Sequence, residues 1–359
     1  MVTVDILQEA PTVTQFCSKI QQEEEALDRH EVSPYDLKLY PNGMLKIASK
    51  TLQGRFTVSE QALPDIARIP EIPAPFFGGC DGRLRSACFN WRLHKRVVPN
   101  KPVQVVLRSG MVERILNSNL LPASQLALMD TVSNAKPEKV PKEDLKVIKY
   151  AWNGHFDVSI IAPTINCPPR KEDIVAFGVN ISEGRDGAVQ IQGAAFRCCC
   201  SNGAVNRICD SRQHRLRRPI NRPDRQQQFL KHVSVFAGDA WSQCKEQKEA
   251  LPKLTDIPID MHDRSALRSR LRQAPFFLSV RVIAQVLQRL EFEVAQHQEG
   301  ASLYDLYNSL SYLGTHNQTL SDTYRTRLRL GAGEFNRHEP RICSACRQLM
   351  LDNDHETTG

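Results

Sequence analysis

A change of hydrophobic period constrains the fold of this chain more than any other feature of its sequence. Segments rich in Val and Ile recur at about 145–152, 156–162, 174–181 and 188–199, separated by turn-forming pairs such as Asn-Gly and Asp-Gly. From about residue 226 the apolar residues instead recur every three or four positions, as in a helix that faces a core. Strands followed by helices, without a βαβ repeat, predict the α+β class: a strand-rich antiparallel or mixed sheet core with a helical C-terminal third.

Local signals divide the chain further. Pro-Asn-Gly at 41–43, between DLKLY and MLKIAS, predicts a tight hairpin in which Asn-Gly takes positive φ angles. Ser59 is placed to cap a short helix, and the prolines of IPEIPAPFF (69–77) predict an extended segment. The predicted division is an N-terminal helix and hairpin (1–58), a strand-rich core (59–210), a basic arm or linker (211–232), a helical region packing on the core (233–335) and a Cys-containing tail (336–359).

Positive charge is concentrated in three stretches, although the net charge is only +7. Residues 83–114 carry eight Lys or Arg and one acid, residues 207–232 carry eight and two acids, and residues 264–289 hold six Arg and no acid. Residues 1–60, in contrast, hold nine acids against six cations and are mildly acidic. Arg clusters suit bidentate contacts to phosphate, so the charge pattern favours nucleic acid, DNA or RNA, as the partner.

The run SRQHRLRRPINRPDR, residues 211–225, is the strongest indication of nucleic-acid binding. Pro219 and Pro223 prevent a continuous helix, which predicts an extended or looped arm able to lie along a phosphate backbone. The alternative is a solvated linker, or one that pairs with the acidic N-terminus. The cations assigned to nucleic-acid contact are Arg212, Arg215, Arg217, Arg218, Arg222 and Arg225 in the arm, and Arg92, Lys95 and Arg96 in the first basic stretch.

Two aromatic residues lie within the first basic stretch. Trp91 and Phe89 precede Arg92, Lys95 and Arg96, and aromatic rings beside cations can stack on nucleic-acid bases. The alternative is that both rings are half-buried in the core, as aromatic side chains commonly are.

The block 182–203 resembles a known family. Its Ser-Glu, Asp-Gly, Phe-Arg and Cys-x-Asn-Gly pattern is similar to the signature of a family of phage- and plasmid-like proteins catalogued as domain of unknown function nine hundred and thirty-two. Weaker similarity extends in short pieces over much of residues 55–315. The resemblance implies a mobile genetic element, whose proteins commonly handle nucleic acid or counter host defence, and it implies no settled activity. The residues that match the motif are Glu183, Asp186, Gly187, Arg197, Cys200, Asn202 and Gly203.

The same block also has a direct physical interpretation. Asp186-Gly187 and Asn202-Gly203 are turn pairs that bracket a strand of about a dozen residues. One interpretation is a β scaffold held by an internal Glu183–Arg197 ion pair. The other places Glu183, Asp186, Arg197 and Asn202 together as a cluster that faces a ligand.

The cysteines indicate a reducing compartment. Eleven Cys without a recognisable export signal favour free thiols and a cytoplasmic protein over a disulfide framework. Cys343 and Cys346 form a Cys-x-x-Cys pair that supplies half of a tetrahedral zinc site, with Cys209 or the run 198–200 as candidates to complete it across the fold. Unligated thiols or a redox pair are the alternatives, so Zn is the one cofactor that the sequence raises.

Catalytic and membrane signatures are missing from the sequence. It contains no phosphate-binding Gly-rich loop, no Gly-x-Ser-x-Gly, no His-Glu-x-x-His, and no apolar run near the ~18 residues of a membrane span. The favoured hypothesis is a nucleic-acid-binding protein that assists recombination, replication or transposition. One form of this hypothesis makes the protein a homo-oligomer. The alternative is a protein-interaction factor, an inhibitor or effector that meets a mobile-element or host protein. A third hypothesis is a metal-dependent nuclease using Asp260 and His262.

Overall fold

The structure is a computed structural model that describes most of the chain. At residues 117, 149–152, 198, 205–209, 214, 215, 217, 223 and 224 only the backbone is described. The described residues are 9–95, 100–117, 124–152, 156–171, 173–183, 188–198, 205–209, 214–217, 223–272, 277–297, 299–317, 319–320, 324–325, 328 and 331–332.

The first of two sheets is mixed and six-stranded, in the order β1-β5-β6-β4-β3-β2. Only β4 and β6 pair in parallel, and the other neighbours are antiparallel. This sheet combines four strands from the first predicted segment (1–58) with two strands from the second (59–210). The five-segment division of the chain stays a prediction. The strands are β1 (Leu27–Val32), β2 (Leu37–Leu39), β3 (Met44–Ala48), β4 (Gln53–Val58), β5 (Val103–Arg108) and β6 (Met111–Asn117).

Helices pack on one face of this sheet. Alternating residues of the strands, such as Leu45 and Ile47, are buried there against Phe77 and Phe89. The opposite residues of the same strands are exposed. The helices are α1 (Val13–Glu25), which contacts both sheets, and then α2 (Leu63–Arg68), α3 (Ala74–Gly79) and α4 (Gly82–His94), which belong to this core.

The hairpin predicted around residues 41–43 is confirmed, with one difference. Tyr40 N–H donates to the Met44 carbonyl at 2.8 Å, and Gly43 N–H donates to the Tyr40 carbonyl at 3.0 Å. Gly43 alone takes a positive φ, of +82°, whereas Asn42 does not, so the prediction of positive φ at both residues was wrong. A three-residue loop needs a left-handed residue only at its last position.

The second sheet is antiparallel, in the order β11-β10-β9-β8-β7, with β12 also paired to β10. The four strands predicted from Val- and Ile-rich segments are confirmed as β7 to β10. The strands are β7 (Lys146–Trp152), β8 (Phe156–Arg170), β9 (Asp173–Glu183), β10 (Ala188–Cys198), β11 (Val205–Cys209) and β12 (His214–Arg217).

The helical part of the chain covers the second sheet. Trp241 is buried and its indole N–H donates to the Val132 carbonyl at 3.2 Å, which joins two of the helices. The predicted capping box at Ser302 and Asp305 is confirmed. The helices are α5 (Gln125–Asn134), α6 (Pro223–Ala250), α7 (Arg264–Arg272), α8 (Val280–Val294) and α9 (Leu303–His316). The protein is therefore α+β, as predicted.

The prediction of an extended segment at 69–77 was wrong. Residues 69–71 form a turn, in which Glu71 has a φ of +56°, and a helix follows two residues later. Helix α3 starts at Ala74, with Pro73 before it and Pro75 in its first turn. The first turn of a helix has no intrahelical acceptor for its N–H groups, so proline is tolerated there. Separately, no helix within the described ranges combines the length and apolar character that crossing a membrane requires.

Candidate nucleic-acid interface

The predicted basic arm is partly a strand. Its residues 214–217 form β12, which pairs with Ala188–Ile191 of β10, and α6 begins at Pro223. Arg225 is exposed in the first turn of α6. Arg212, Arg218 and Arg222 lie outside the described residues, as do the side chains of Arg215 and Arg217, so their contact with nucleic acid stays a prediction.

Several arginines of the first basic stretch hold the protein together instead of facing solvent. Arg85 donates to the carbonyls of Phe77, Gly78 and Cys80 at 3.0, 3.2 and 2.9 Å, which satisfies the C-terminal end of α3. Arg92 donates to the Pro70 carbonyl.

Arg92 also lies 3.8 Å from Glu71. Its guanidinium is therefore engaged within the protein, and the geometry does not favour the predicted phosphate contact. Lys95 is exposed just after α4, and Arg96 lies outside the described residues.

Helix α4 is fixed against the edge strand β2 by two close contacts. The Asn90 carboxamide accepts from Leu39 N–H at 3.0 Å and donates to the Leu39 carbonyl at 2.7 Å, so it pairs with the free edge of the sheet. At the other end of the helix, a Cβ added to Gly82 would lie 2.0 Å from the Pro41 carbonyl oxygen. Only glycine permits the helix to approach the hairpin this closely.

A groove of about 590 Å³ opens where α4 meets β2. Leu37 and Leu93 are buried beneath it, whereas Trp91 is 58% exposed. Of the described residues that line the groove, none is acidic. An aromatic ring over an apolar base, with cations at the edge, suits a flat, negatively charged ligand. The lining residues are Tyr35, Leu37, Lys38, Asn90, Trp91, Leu93 and His94.

Three cations form a row across the exposed face of the first sheet, and we call them the cation row. Lys38 of β2 is paired with Lys46 of β3, which is paired with Arg55 of β4. Directly paired residues project to the same side with Cβ atoms about 5 Å apart, so the row spans about 10 Å. None of the three makes an ion pair with another residue of the described ranges. Lys38 also lines the groove, so the row and the groove are continuous.

One aromatic ring organises this row. The Tyr40 ring centre lies 5.7 Å from Lys38 Nζ and 4.9 Å from Arg55 Cζ. Cation–π attraction of about 0.5–1 kcal/mol at an exposed site partly offsets the repulsion between neighbouring cations. Within the described part of the chain, the row is thus ordered by an aromatic ring and not by an acidic side chain.

Neither the row nor Lys38 was identified from the sequence, although a signal is present. Charge counted over residues 1–60 gives a mildly acidic region, because its nine acids lie outside the stretch 37–59. That stretch holds four cations and no acid. Charge counted over the length of one hairpin therefore shows a group of cations. The alternation of side chains along strands then places Lys38, Lys46 and Arg55 on the solvent face.

The third basic stretch divides into paired and unpaired arginines. Arg264 pairs with Glu291, and Arg289 lies 2.5 Å from Glu293 and 3.7 Å from the ring centre of Tyr312. The exposed side chains of Arg268, Arg272 and Arg281 make no ion pair with any residue that the structure describes. Arg268 and Arg272 belong to α7, and Arg281 to the first turn of α8.

The Glu183–Arg197 pair predicted from the family-like block does not form. In the β9–β10 ladder Glu183 is paired with Val189, whereas Arg197 is paired with Val175 at the other end. The antiparallel register therefore separates the two side chains by about eight residues, or ~26 Å. The cluster predicted to face a ligand is divided in the same way, and its members Asp186 and Asn202 lie outside the described residues. So do Gly187, Cys200 and Gly203.

Each of the two residues has a different buried partner. Glu183 lies 3.7 Å from Arg114, which also lies 3.8 Å from Asp65, so this ion triad joins the two sheets. Arg197 lies 2.8 Å from Asp173 and 2.6 Å from Glu293 of α8.

The Tyr304 hydroxyl completes the Arg197 cluster by donating to Asp173 at 2.7 Å. Burial, reinforced by Asp173, raises the pKa of Tyr304 well above its ordinary value, so the phenol stays protonated. Burial opposes the charge of Arg197, but the carboxylates of Asp173 and Glu293 outweigh it and raise the pKa of the guanidinium. The cluster is a structural ion-pair network.

Metal ligands do not cluster in the described part of the chain, where no group of three His, Cys, Asp or Glu side chains converges. Asp260 and His262 are exposed, and the Asp260 carboxylate accepts from the His262 backbone N–H at 2.7 Å. Cys343 and Cys346 lie outside the described residues, so the zinc hypothesis stays a prediction.

Comparisons with protein-family models, with curated proteins and with solved structures found no match to this chain. The resemblance of the 182–203 block to a phage- and plasmid-like family therefore also stays a prediction.

Proposed function

We propose that this protein binds nucleic acid through contacts with the phosphate backbone. The observation that carries the proposal is the cation row, in which Lys38, Lys46 and Arg55 lie directly opposite one another with no acidic partner among the residues that the structure describes. Like charges placed opposite each other on a sheet destabilise it. A polyanion that contacts the row would relieve this repulsion, and phosphates spaced along a strand are such a ligand.

The two classes of cation in the molecule support the same proposal. Arg85, Arg114 and Arg197 are engaged by carbonyls or carboxylates, so they are not available to a ligand. The cation row and Lys95 are exposed, Lys38 lines the groove, and Lys95 directly follows the lining residue His94 in the chain. Positive potential concentrated at a groove raises both the affinity and the association rate of a polyanion.

The test is a salt series of binding measurements with labelled oligonucleotides, comparing the wild type with the triple variant Lys38→Ala, Lys46→Ala and Arg55→Ala. We expect weaker binding and a plot of log affinity against log salt that is shallower by about 2 to 3, roughly one for each lost phosphate contact.

The matched control for this test is the triple variant Lys139→Ala, Lys245→Ala and Lys253→Ala. It removes the same net charge from exposed lysines on other elements. It should keep a slope close to that of the wild type. A cation-row variant that binds with the wild-type slope, or a wild type that fails to bind at low salt, contradicts the proposal.

We extend the proposal to a role in a mobile genetic element, where the protein would assist recombination, replication or transposition. This part depends on the resemblance of residues 182–203 to the phage- and plasmid-like family. A nucleic-acid-binding protein without a catalytic motif fits an assisting role, in which it holds or protects the substrate of another enzyme.

A second candidate function is supported by a different surface. Phe277 and Val280 are 61% and 62% exposed, and Val280 is followed in the chain by Arg281, which makes no ion pair with a described residue. Exposed apolar side chains in a basic stretch also suit an acidic protein surface, as expected of an inhibitor or effector in host–element conflict. This candidate predicts a partner protein that co-purifies after nuclease treatment and is lost with Phe277→Asp. Such a partner in place of nucleic acid would favour it.

A further inference from the structure

The groove beside α4 has a composition that phosphate binding alone does not explain. Its lining includes two aromatic side chains, the half-buried Tyr35 and the exposed Trp91, together with the buried Leu37 and Leu93. A site that recognises only phosphates needs cations and backbone N–H groups, and gains nothing from an indole.

Trp91 does not serve the core of the protein. Its neighbours Phe89 and Leu93 already supply the apolar contacts of α4 with the first sheet, and both are buried. Single exposed apolar residues are ordinary on protein surfaces. Trp91 differs because it lines a concave groove that is continuous with the cation row through Lys38.

We propose that the groove takes an unpaired nucleobase stacked on Trp91, while the phosphates of the same strand lie over the cation row, so that the ligand is single-stranded. This inference rests on the proposed nucleic-acid binding and specifies its substrate. In a duplex both faces of every internal base are covered by neighbouring bases, so only an unpaired base offers a face to the indole.

The residues that line the groove also bear on whether the site prefers particular bases. Asn90 is an amide among the described lining residues, and its carboxamide is held in a fixed orientation toward β2 by its hydrogen bonds to the Leu39 backbone. Recognition through stacking and phosphate contact tolerates every base, because every base has a π face. The expected ligand is therefore a single strand of any sequence.

The experiment compares the wild type, Trp91→Ala and Trp91→Phe by anisotropy with four probes: oligo(dT), oligo(U), a duplex hairpin of equal phosphate number, and an abasic oligonucleotide. The abasic strand keeps the phosphates and lacks the bases. We expect Trp91→Ala to lose about 5- to 150-fold in affinity for the single strands. It should bind the hairpin and the abasic strand as the wild type does. Trp91→Phe should keep most of the single-strand affinity.

Each outcome separates this inference from the proposed function. If all proteins bind single strands and duplex alike, with no effect of Trp91→Ala, phosphate binding stands and the base site is wrong. If Trp91→Ala weakens all four probes equally, the indole is not a base-stacking group and the inference also fails. If the wild type binds none of the probes at low salt, the proposed function itself is wrong. The ratio of oligo(dT) to oligo(U) affinity assigns DNA or RNA.

Discussion

The two sheets of this protein use their cations in opposite ways. Around the second sheet Arg170 and Arg197 are largely buried, and both pair with carboxylates on other elements. On the outer face of the first sheet Lys38, Lys46 and Arg55 are exposed, adjacent to one another and without an acidic partner in the described structure. The buried arginines hold elements of the fold together, whereas the exposed cations of the row repel one another and so lower the stability of the protein.

This difference teaches that the local density of arginine does not identify a phosphate-binding surface. Two of the three basic stretches contain Arg85, Arg92, Arg114 and Arg289, and the fold engages each of them. The cation row lies in a region whose average charge is acidic. The role of a cation depends on whether it has a partner within the protein, and the presence of a partner depends on contacts between distant parts of the chain.

The largest effect that separates the two sets is expected for Arg197→Ala. The substitution leaves Asp173 and Glu293 buried without their guanidinium partner, which should cost about 3–5 kcal/mol in the free energy of unfolding. Urea denaturation followed by circular dichroism measures this cost. The control is Arg281→Ala, since Arg281 is exposed and has no partner in the described structure, and it should change stability by less than about 0.5 kcal/mol. Equal effects of the two variants would remove the distinction between the sets.

A smaller effect is expected at the contact that positions the groove. Gly82→Ala places a Cβ 2.0 Å from the Pro41 carbonyl oxygen, so α4 has to shift away from the hairpin, at a cost of about 1–3 kcal/mol. Gly78→Ala is the matched control, because an added Cβ there meets no described atom within 4 Å, and alanine should leave stability unchanged or raise it slightly.

Nucleic-acid binding by the Gly82→Ala protein tests whether the position of α4 on the hairpin matters for the groove. If α4 carries Trp91 away from Lys38, single-strand affinity should fall while duplex affinity stays near that of the wild type. A stable Gly82→Ala protein with full single-strand affinity would show that the position of α4 on the hairpin does not matter for binding.

Local features of the fold could be predicted from the sequence, because they depend on neighbouring residues. The strands β7 to β10 follow from runs of Val and Ile, the hairpin from Asn42-Gly43, and the capping box from Ser302 and Asp305. The partners of individual charges could not be predicted. Glu183 and Arg197 lie near one another in a motif, but strand register directs the first to Arg114 and the second to Asp173.

The candidate site was less predictable than the fold for the same reason. The sequence leaves open whether the Trp91 ring stacks on bases or is half-buried in the core; its 58% exposure argues against the core position, and base stacking stays a prediction. Its association with Lys38 depends on Asn90 reaching the edge of β2, some fifty residues away in sequence. Phe89, which was considered together with Trp91, is fully buried, because it lies on the face of α4 that meets the sheet.

The smallest effect, and the one that tests the cation row most directly, is a gain in stability. Lys46 lies between Lys38 and Arg55, so Lys46→Gln removes two unfavourable neighbour interactions and should stabilise the protein by a few tenths of a kcal/mol at low salt. The gain should vanish in 1 M salt, where the Debye length falls to about 3 Å. Lys46→Arg, which keeps the charge, should show neither change.

The same Lys46→Gln substitution should weaken nucleic-acid binding and lower the salt slope by about one, so that stability and affinity move in opposite directions. That opposition is what separates a surface arranged for a polyanion from an incidental group of lysines. A Lys46→Gln protein that is less stable than the wild type, or equally stabilised in 1 M salt, would mean that Lys46 contributes to the sheet through packing of its side chain. The cation row would then belong with the structural cations of the second sheet.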